Sequence, residues 1–208
     1  MIRNESEARE YVLGLGDTSS VARLDQLAAE LEAENQRQNL VSKGTMSDVW
    51  TRHFADSAQL LPLATNSGPW MDLGSGAGFP GLVVATLRPE IQVTLVESRG
   101  RRVEWLSRMI EVLELPNCRV EGQRLEKVAT FDSGVISARA FAPLDRLLAL
   151  SARFSTSSTC WLLPKGRSAA QEVQALPTQR RSMFHVEQSL TDSDAGIIVG
   201  QGKWSGKP

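Results

Sequence analysis

Residues 70–81 read WMDLGSGAGFPG, and their types and spacing are the strongest chemical signal in the chain. The first four form a short apolar run with one acid, Asp72, and predict a buried strand over 69–73. Glycines at 74, 76 and 78 allow a turn with φ > 0 and leave its backbone open to a ligand. Pro80 suits the first position of a following helix, whose free N–H groups face the turn. Strand, glycine turn and helix together make a loop for a nucleotide cofactor. A second acid, Glu97, ends the apolar run VTLVE about 20 residues further on, where a carboxylate can accept ribose hydroxyls.

Two cofactor classes share these features. Gly76-x-Gly78-x-x-Gly81 matches the dinucleotide fingerprint, a weak signal alone. Against it, Phe79 occupies a position that a pyrophosphate loop leaves open. An acid, then Leu, then G-x-G-x-G resembles the first motif of S-adenosylmethionine (SAM) methyltransferases. SAM has a cationic methionine end and no pyrophosphate, so Asp72 near the loop suits it better than a phosphate cradle. This reading makes Asp72, Gly74, Gly76, Gly78, Phe79 and Glu97 the expected cofactor-binding residues. A nicotinamide oxidoreductase is the less favoured alternative.

The elements that must position these residues follow from periodicity. Residues 5–15 and 19–37 predict two amphipathic helices, the second with Val21, Leu24, Leu27, Ala28 and Leu31 on one face and Ser19 or Ser20 as N-cap. A third helix is expected over 47–61, with Val49, Phe54, Ala58 and Leu61 inward and Trp50, Arg52, His53 and Asp56 around the rest. From residue 65, strands near 69–73, 92–97, 117–121, 133–138 and 159–163 alternate with helices near 80–88, 100–114, 143–154 and 167–175. The tail adds strands at 182–187 and 196–200 around a polar loop, 190–195, and residues 205–208 are expected to fray. The expected architecture is α/β: a Rossmann-like, seven-stranded doubly wound sheet over 65–208, with a helical N-terminal extension over 1–64.

The 208 residues suffice for one large core and contain no run long enough for a membrane helix. The charged start, MIRNESEARE, is unlike a secretory signal. Cys118 and Cys160 have neither disulfide nor zinc spacing. A cytoplasmic, metal-free protein, monomeric in the simplest case, is expected. Net charge is −1, but residues 1–34 hold eight acids against three arginines, leaving 20 basic and 16 acidic residues in the remainder.

Ligands in such a sheet collect at the carboxyl ends of the strands. There the sequence places Arg99, Arg101, Arg139, Lys165 and Arg167, with Arg102 and Arg124 close by. Such a rim suits an anionic partner, and arginines both hold phosphates and stack on bases. For the reaction itself, no residue pair stands out as a catalytic base. Neither cysteine follows a proline, as a cytosine-C5 nucleophile would, and 137–141 (SARAF) lacks the Asn/Asp-Pro-Pro-aromatic turn of adenine amine methylation. An acceptor with a free lone pair and no proton to remove remains, and guanine N7 is one; proximity and alignment suffice for it. His53 and Arg139 are then positioning candidates. His185 has no obvious partner.

The set Asn39-Leu40, Arg52-His53-Phe54-Ala55-Asp56-Ser57, Asp72 through Gly81, Arg124-Leu125-Glu126 and Arg139-Ala140-Phe141 resembles the glucose-inhibited division protein B family, the small-subunit ribosomal RNA methyltransferases G. The likeness runs from about Asn35 to Lys165. It implies a bacterial enzyme that uses SAM to methylate N7 of guanine 527 in 16S rRNA, with the 30S subunit as partner. It also implies SAM contacts from Gly74, Phe79, Leu125, Glu126 and Arg139, and places Arg52 and His53 beside the active site. Arg52, Arg99, Arg101, Arg102, Lys165 and Arg167 are the expected RNA contacts. Leu125 stands where the family usually has a small residue, so its backbone is the expected adenine contact. From Gln174 onward the match is poor. Two alternatives remain open: a SAM methyltransferase acting on a small molecule or protein, and a non-catalytic RNA- or ribosome-binding relative.

Overall fold

The computed structural model describes residues 1–205; the fraying expected at the C-terminus falls, beyond Ser205, outside the described residues. Seven strands form a single sheet in the order β3-β2-β1-β4-β5-β7-β6. They are β1 (Trp70–Leu73), β2 (Val93–Val96), β3 (Cys118–Glu121), β4 (Ser133–Ala138), β5 (Ser155–Lys165), β6 (Phe184–Gln188) and β7 (Gly196–Gln201). The first five run parallel, and β7 pairs antiparallel with both β5 and β6. β5 starts four residues before the apolar run that predicted it. Its polar start, Ser155, pairs with Ser133 across an irregularity in the β4 register.

Eight α-helices accompany the sheet among the described residues: α1 (Glu5–Leu15), α2 (Thr18–Asn35), α3 (Asp56–Ala58), α4 (Gly81–Leu87), α5 (Gly100–Val112), α6 (Leu144–Ser151), α7 (Ala169–Ala175) and α8 (Thr178–Arg181). None is long and apolar enough to cross a membrane. The apolar face of α2 (Val21, Leu24, Leu27, Leu31) joins α1, α4 and α5 in one hydrophobic cluster on one side of the sheet. Leu144, Leu147, Leu148, Phe154 and Val173 fill a second cluster on the other side. β1, β2 and β4 are buried along their whole length, as a parallel sheet covered on both faces requires.

The N-terminal region departs from the expected pattern in two places. Asp17, not Ser19 or Ser20, caps α2, and Ser20 donates its N–H to the Asp17 carboxylate at 2.7 Å. Residues 47–61 are not one regular helix. Trp50–Ala55 is π-helical and runs into the short α3, followed by a 3-10 turn, Leu61–Leu63. Trp50, His53, Phe54 and Ala55 are buried together; the first three, at i, i+3 and i+4, share one helical face. The start of the π-helical turn is held from α1: the Glu5 carboxylate accepts from the backbone N–H groups of Trp50 (2.9 Å) and Thr51 (2.8 Å) and from the Thr51 hydroxyl (2.7 Å).

Candidate active site

The glycine loop closes β1 onto α4, and its conformation depends on packing from below. Gly74, Gly76 and Gly78 all have positive φ, at 66°, 57° and 105°. A Cβ on Gly78 would lie 2.3 Å from Leu82, and one on Gly81 would lie 2.2 Å from Leu95, so neither position tolerates a side chain. Gly76 differs: a Cβ there would meet only the Arg102 guanidinium, at 3.4 Å, and the Gly74 carbonyl, at 3.6 Å. Trp105 of α5 donates its indole N–H to the Ala77 carbonyl at 3.0 Å and fixes the far side of the loop. Pro80 precedes α4 by one residue, so Gly81 takes the first helical position that the sequence assigned to proline.

Asp72 does not reach this loop's open face. It is fully buried, accepts from the Ser137 hydroxyl (2.8 Å) and the Gly81 N–H (3.3 Å), and so ties β1 to β4 and α4. Burial pushes its carboxyl up to about 6. A direct contact with the cofactor's methionine end is corrected to a supporting role beneath the loop.

Above the loop, Gly74, Val96, Glu97, Ser98, Arg99 and Arg102, with residues 123–125 and 140–141, line a cleft of about 230 Å³. Glu97 holds it together. One oxygen accepts from the Gly76 N–H at 3.1 Å, and the other from the N–H groups of Ser98 (2.7 Å) and Arg99 (2.9 Å). The oxygen facing Gly76 accepts a single N–H and keeps a lone pair for a hydroxyl. Leu125 lines the cleft and is buried in the hydrophobic cluster behind it, whereas Glu126 is exposed to solvent. The one-turn 3-10 helix Leu125–Lys127 directs neighbouring side chains apart, which removes Glu126 from the lining set. The donor and acceptor set fits a nucleoside-bearing cofactor: a carboxylate for ribose, backbone beside Leu125 for a base, and open space over Gly76.

A second cleft of about 310 Å³ lies on the other side of Ala140 and includes Thr45, Arg52, His53, Asp56, Arg139 and Lys165. Ala140 lines both clefts and has φ 54°, a bend that sends Phe141 into the first and Arg139 into the second. Arg139 is therefore not a wall of the first cleft. Its guanidinium reaches Asp56 (3.3 Å), the Arg52 carbonyl (3.3 Å) and His53 Nδ1 (3.2 Å), and sits 5.2 Å over the Phe79 ring. Phe79 is likewise buried under this cleft, stacked on His53 at 5.0 Å and 8°. Since Arg139 can only donate, Nδ1 accepts, and Nε2–H then donates to the Thr45 hydroxyl at 2.9 Å, which in turn donates to the Ser42 carbonyl at 2.8 Å. Burial, reinforced by Arg139 and Arg52, pulls the imidazole down to about 3. His53 is neutral with both nitrogens occupied.

The arginine rim thus divides. Arg52 pairs with Asp192 (3.0 Å) and Lys165 with Glu172 (2.9 Å), both at the second cleft. Arg167 pairs with Asp194 (2.6 Å) and lies outside both lining sets, as does Arg101. Arg99 and Arg102 line the first cleft, with Arg99 exposed at its mouth. Residues 190–195 form an unanticipated wall of the second cleft: Thr191 donates to Asp56 at 2.9 Å and Leu190 N–H to Gln59 at 2.7 Å. The acids in this loop, opposite arginines far away in sequence, were the available signal. His185 acquires a partner, Glu187, at 3.0 Å, on the exposed strand β6.

This geometry can be set beside known proteins. A family model described as rRNA small subunit methyltransferase G matches residues 20–196. "Ribosomal RNA small subunit methyltransferase G" of Erythrobacter litoralis is 57% identical over 204 residues, covering 98% of this chain and 99% of that protein. The protein of the same name from Novosphingobium aromaticivorans is 57% identical, covering 89% of this chain and 82% of its own length. Among solved structures, a SAM-dependent methyltransferase from Aquifex aeolicus matches with a TM-score of 0.57 at 12% identity, covering 80% of this chain and 96% of that one. A mutant of MtNAS in complex with S-adenosylmethionine matches with a TM-score of 0.55 at 14% identity, covering 95% of this chain and 77% of that one. These two share the fold, a Rossmann-like SAM methyltransferase architecture. Sequence and fold agree, and the chain belongs to the rRNA small subunit methyltransferase G family.

Proposed function

We propose that this protein binds SAM in the first cleft and methylates N7 of guanine 527 of 16S rRNA, presented through the second cleft by the 30S subunit. The observation that carries the reading is the pair of clefts meeting at Ala140, with a neutral, fully hydrogen-bonded His53 where a catalytic base would have to stand. When bound, SAM supplies an electrophilic methyl group that needs only an aligned lone pair. Glu97 would hold a ribose hydroxyl, the backbone beside Leu125 would border the adenine, Gly76 leaves the floor open, and Gly74 makes room for the Phe141 ring. Across the septum, Arg139 is fixed on three sides and presents its guanidinium face to a base or phosphate. His53 and Phe79 support that guanidinium from below and move no proton. Guanine N7 has none to give up, so orientation is the chain's main contribution.

The helical segment 1–64 works in this scheme as part of the second cleft, through Thr45, Arg52, His53 and Asp56. The protein is read as a cytoplasmic bacterial enzyme that needs no metal and acts as a monomer. The test is methyl transfer from labelled SAM to 30S subunits lacking the modification, followed by nucleoside analysis. Label in 7-methylguanosine at position 527 is expected. Label in another nucleoside, or none while SAM still binds, overturns the assignment.

A further inference from the structure

Three of the expected RNA contacts, Arg52, Lys165 and Arg167, are already engaged, as is Arg139: each holds a carboxylate. The arginines around the start of α5 are not. Arg99, Arg101 and Arg124 are exposed, and none has an acidic partner among the described residues. Arg37, at the end of α2, has a side chain 76% exposed and only a 3.8 Å approach to Glu34. That acid is already held by Arg108 at 2.8 Å on one oxygen and by Gln38 at 2.9 Å on the other. Between α2 and α5 lies a groove of about 570 Å³, with Arg37 on one wall and Arg101 and Arg108 on the other; Glu34, paired with Arg108, and Glu104 line it too, so three arginines face two acids. Arg101 and Arg108 are two helical turns apart, about 10 Å along one face.

The cofactor does not account for this excess. SAM carries a sulfonium and an ammonium against one carboxylate, so it is itself a net cation. The first cleft's acid, Glu97, is occupied by three backbone N–H groups. Unpaired arginines at its mouth gain nothing from such a ligand and serve an anion arriving from outside.

We propose that the α2–α5 groove, continued by Arg99 and Arg124 across the mouth of the first cleft, is a phosphate track for the RNA backbone. Affinity is gathered there, away from the cleft that receives the target base. This rests on the rRNA reading above. Phosphate contacts of this kind give affinity without sequence information and reveal themselves through salt.

The test is the Arg37→Gln/Arg101→Gln double variant, with 30S subunits lacking the modification as probe. Removing two phosphate contacts should lower the slope of log affinity against log salt by about 1.4 to 1.8. KM for the subunit should rise about tenfold, and SAM affinity and melting temperature should be retained. Arg37→Lys/Arg101→Lys should restore the slope, since a point charge suffices for phosphate but not for a stacked or bidentate structural role. An unchanged slope and KM in the glutamine variant, with wild-type methylation intact, overturns the track and leaves the function standing. Failure of the wild-type protein to methylate the subunit overturns both.

Discussion

The two clefts on either side of Ala140 are built on opposite plans. The first is assembled from strand-end loops, and its main acid, Glu97, is satisfied by backbone N–H groups within two residues of itself and by Gly76. The second is assembled from distant segments held by side-chain pairs: Asp56 with Arg139 and Thr191, Arg52 with Asp192, Lys165 with Glu172. Backbone geometry makes the first rigid and specific for one ligand shape. Side-chain pairs between segments far apart in sequence hold the second; Lys165–Glu172 and Arg139–Asp56 are largely shielded, whereas Arg52–Asp192 is open to solvent and the most readily exchanged. The difference separates cofactor binding from substrate presentation, and each can be broken without the other.

The largest effect is expected at Gly76. Gly76→Asp places a carboxylate beside Glu97 and within reach of Arg102, filling the space over the loop. SAM affinity should fall at least about a hundredfold, equivalent to roughly 3 kcal/mol, with the fold retained and a modest drop in melting temperature from a side chain at φ 57°; equilibrium dialysis decides. Retained affinity would remove the loop from the cofactor site. Next comes Asp56→Ala, which frees both Arg139 and the 190–195 loop. Methylation of 30S should fall ten- to a hundredfold by kcat/KM while SAM affinity stays within about twofold, a transition-state loss of roughly 1.4 to 2.7 kcal/mol. An equal loss of SAM affinity would mean that the clefts are one cooperative unit.

A smaller change is expected from His53→Ala, which removes the stack on Phe79 and one of Arg139's acceptors. Activity should drop only a few-fold. The rate profile between pH 6 and 8 should keep its shape, because an imidazole held near 3 does not titrate there. Loss of all methylation, or of an inflection near neutrality, would make His53 catalytic.

How much of this was legible in the sequence follows the same division. The first cleft is local: three glycines, Glu97 and Leu125 sit at strand ends, and strand ends can be found from apolar runs and their spacing. Asp72 was misplaced because every residue of β1 is buried, so no alternation tells which face of a central parallel strand a side chain joins. The second cleft is non-local. Nothing in the spacing of Arg52, Asp192 and Thr191 says that they meet, and His53 was placed off the core face although its i, i+3, i+4 spacing with Trp50 and Phe54 allows one shared face. Strand ends alone draw the arginines and Lys165 toward one edge of the sheet, but their counter-ions decide which are free for RNA, and those lie in other segments.

The two plans also leave opposed marks on stability. Under the loop, burial holds the Asp72 carboxyl up at about 6 from an ordinary 3.8. Between those values the folded state keeps a proton that the unfolded chain has released, so this group's stability contribution is full below pH 4 and is lost as pH rises to 6. Under the second cleft, burial holds His53 down at about 3 from 6.5. There the unfolded chain takes up the proton first, so the contribution is full above pH 6.5 and is lost as pH falls toward 3. Each slope is at most about 1.4 kcal/mol per pH unit, and across pH 4 to 6 they oppose each other. Wild-type stability should therefore vary little with pH in that window on account of these two groups. Removing either one exposes the other. Relative to wild type, Asp72→Asn should become more stable as pH rises from 4 to 6, and His53→Gln less stable, as read from denaturant midpoints at matched m-values. Two variants that track the wild-type curve in parallel would mean that neither buried group titrates as its surroundings dictate.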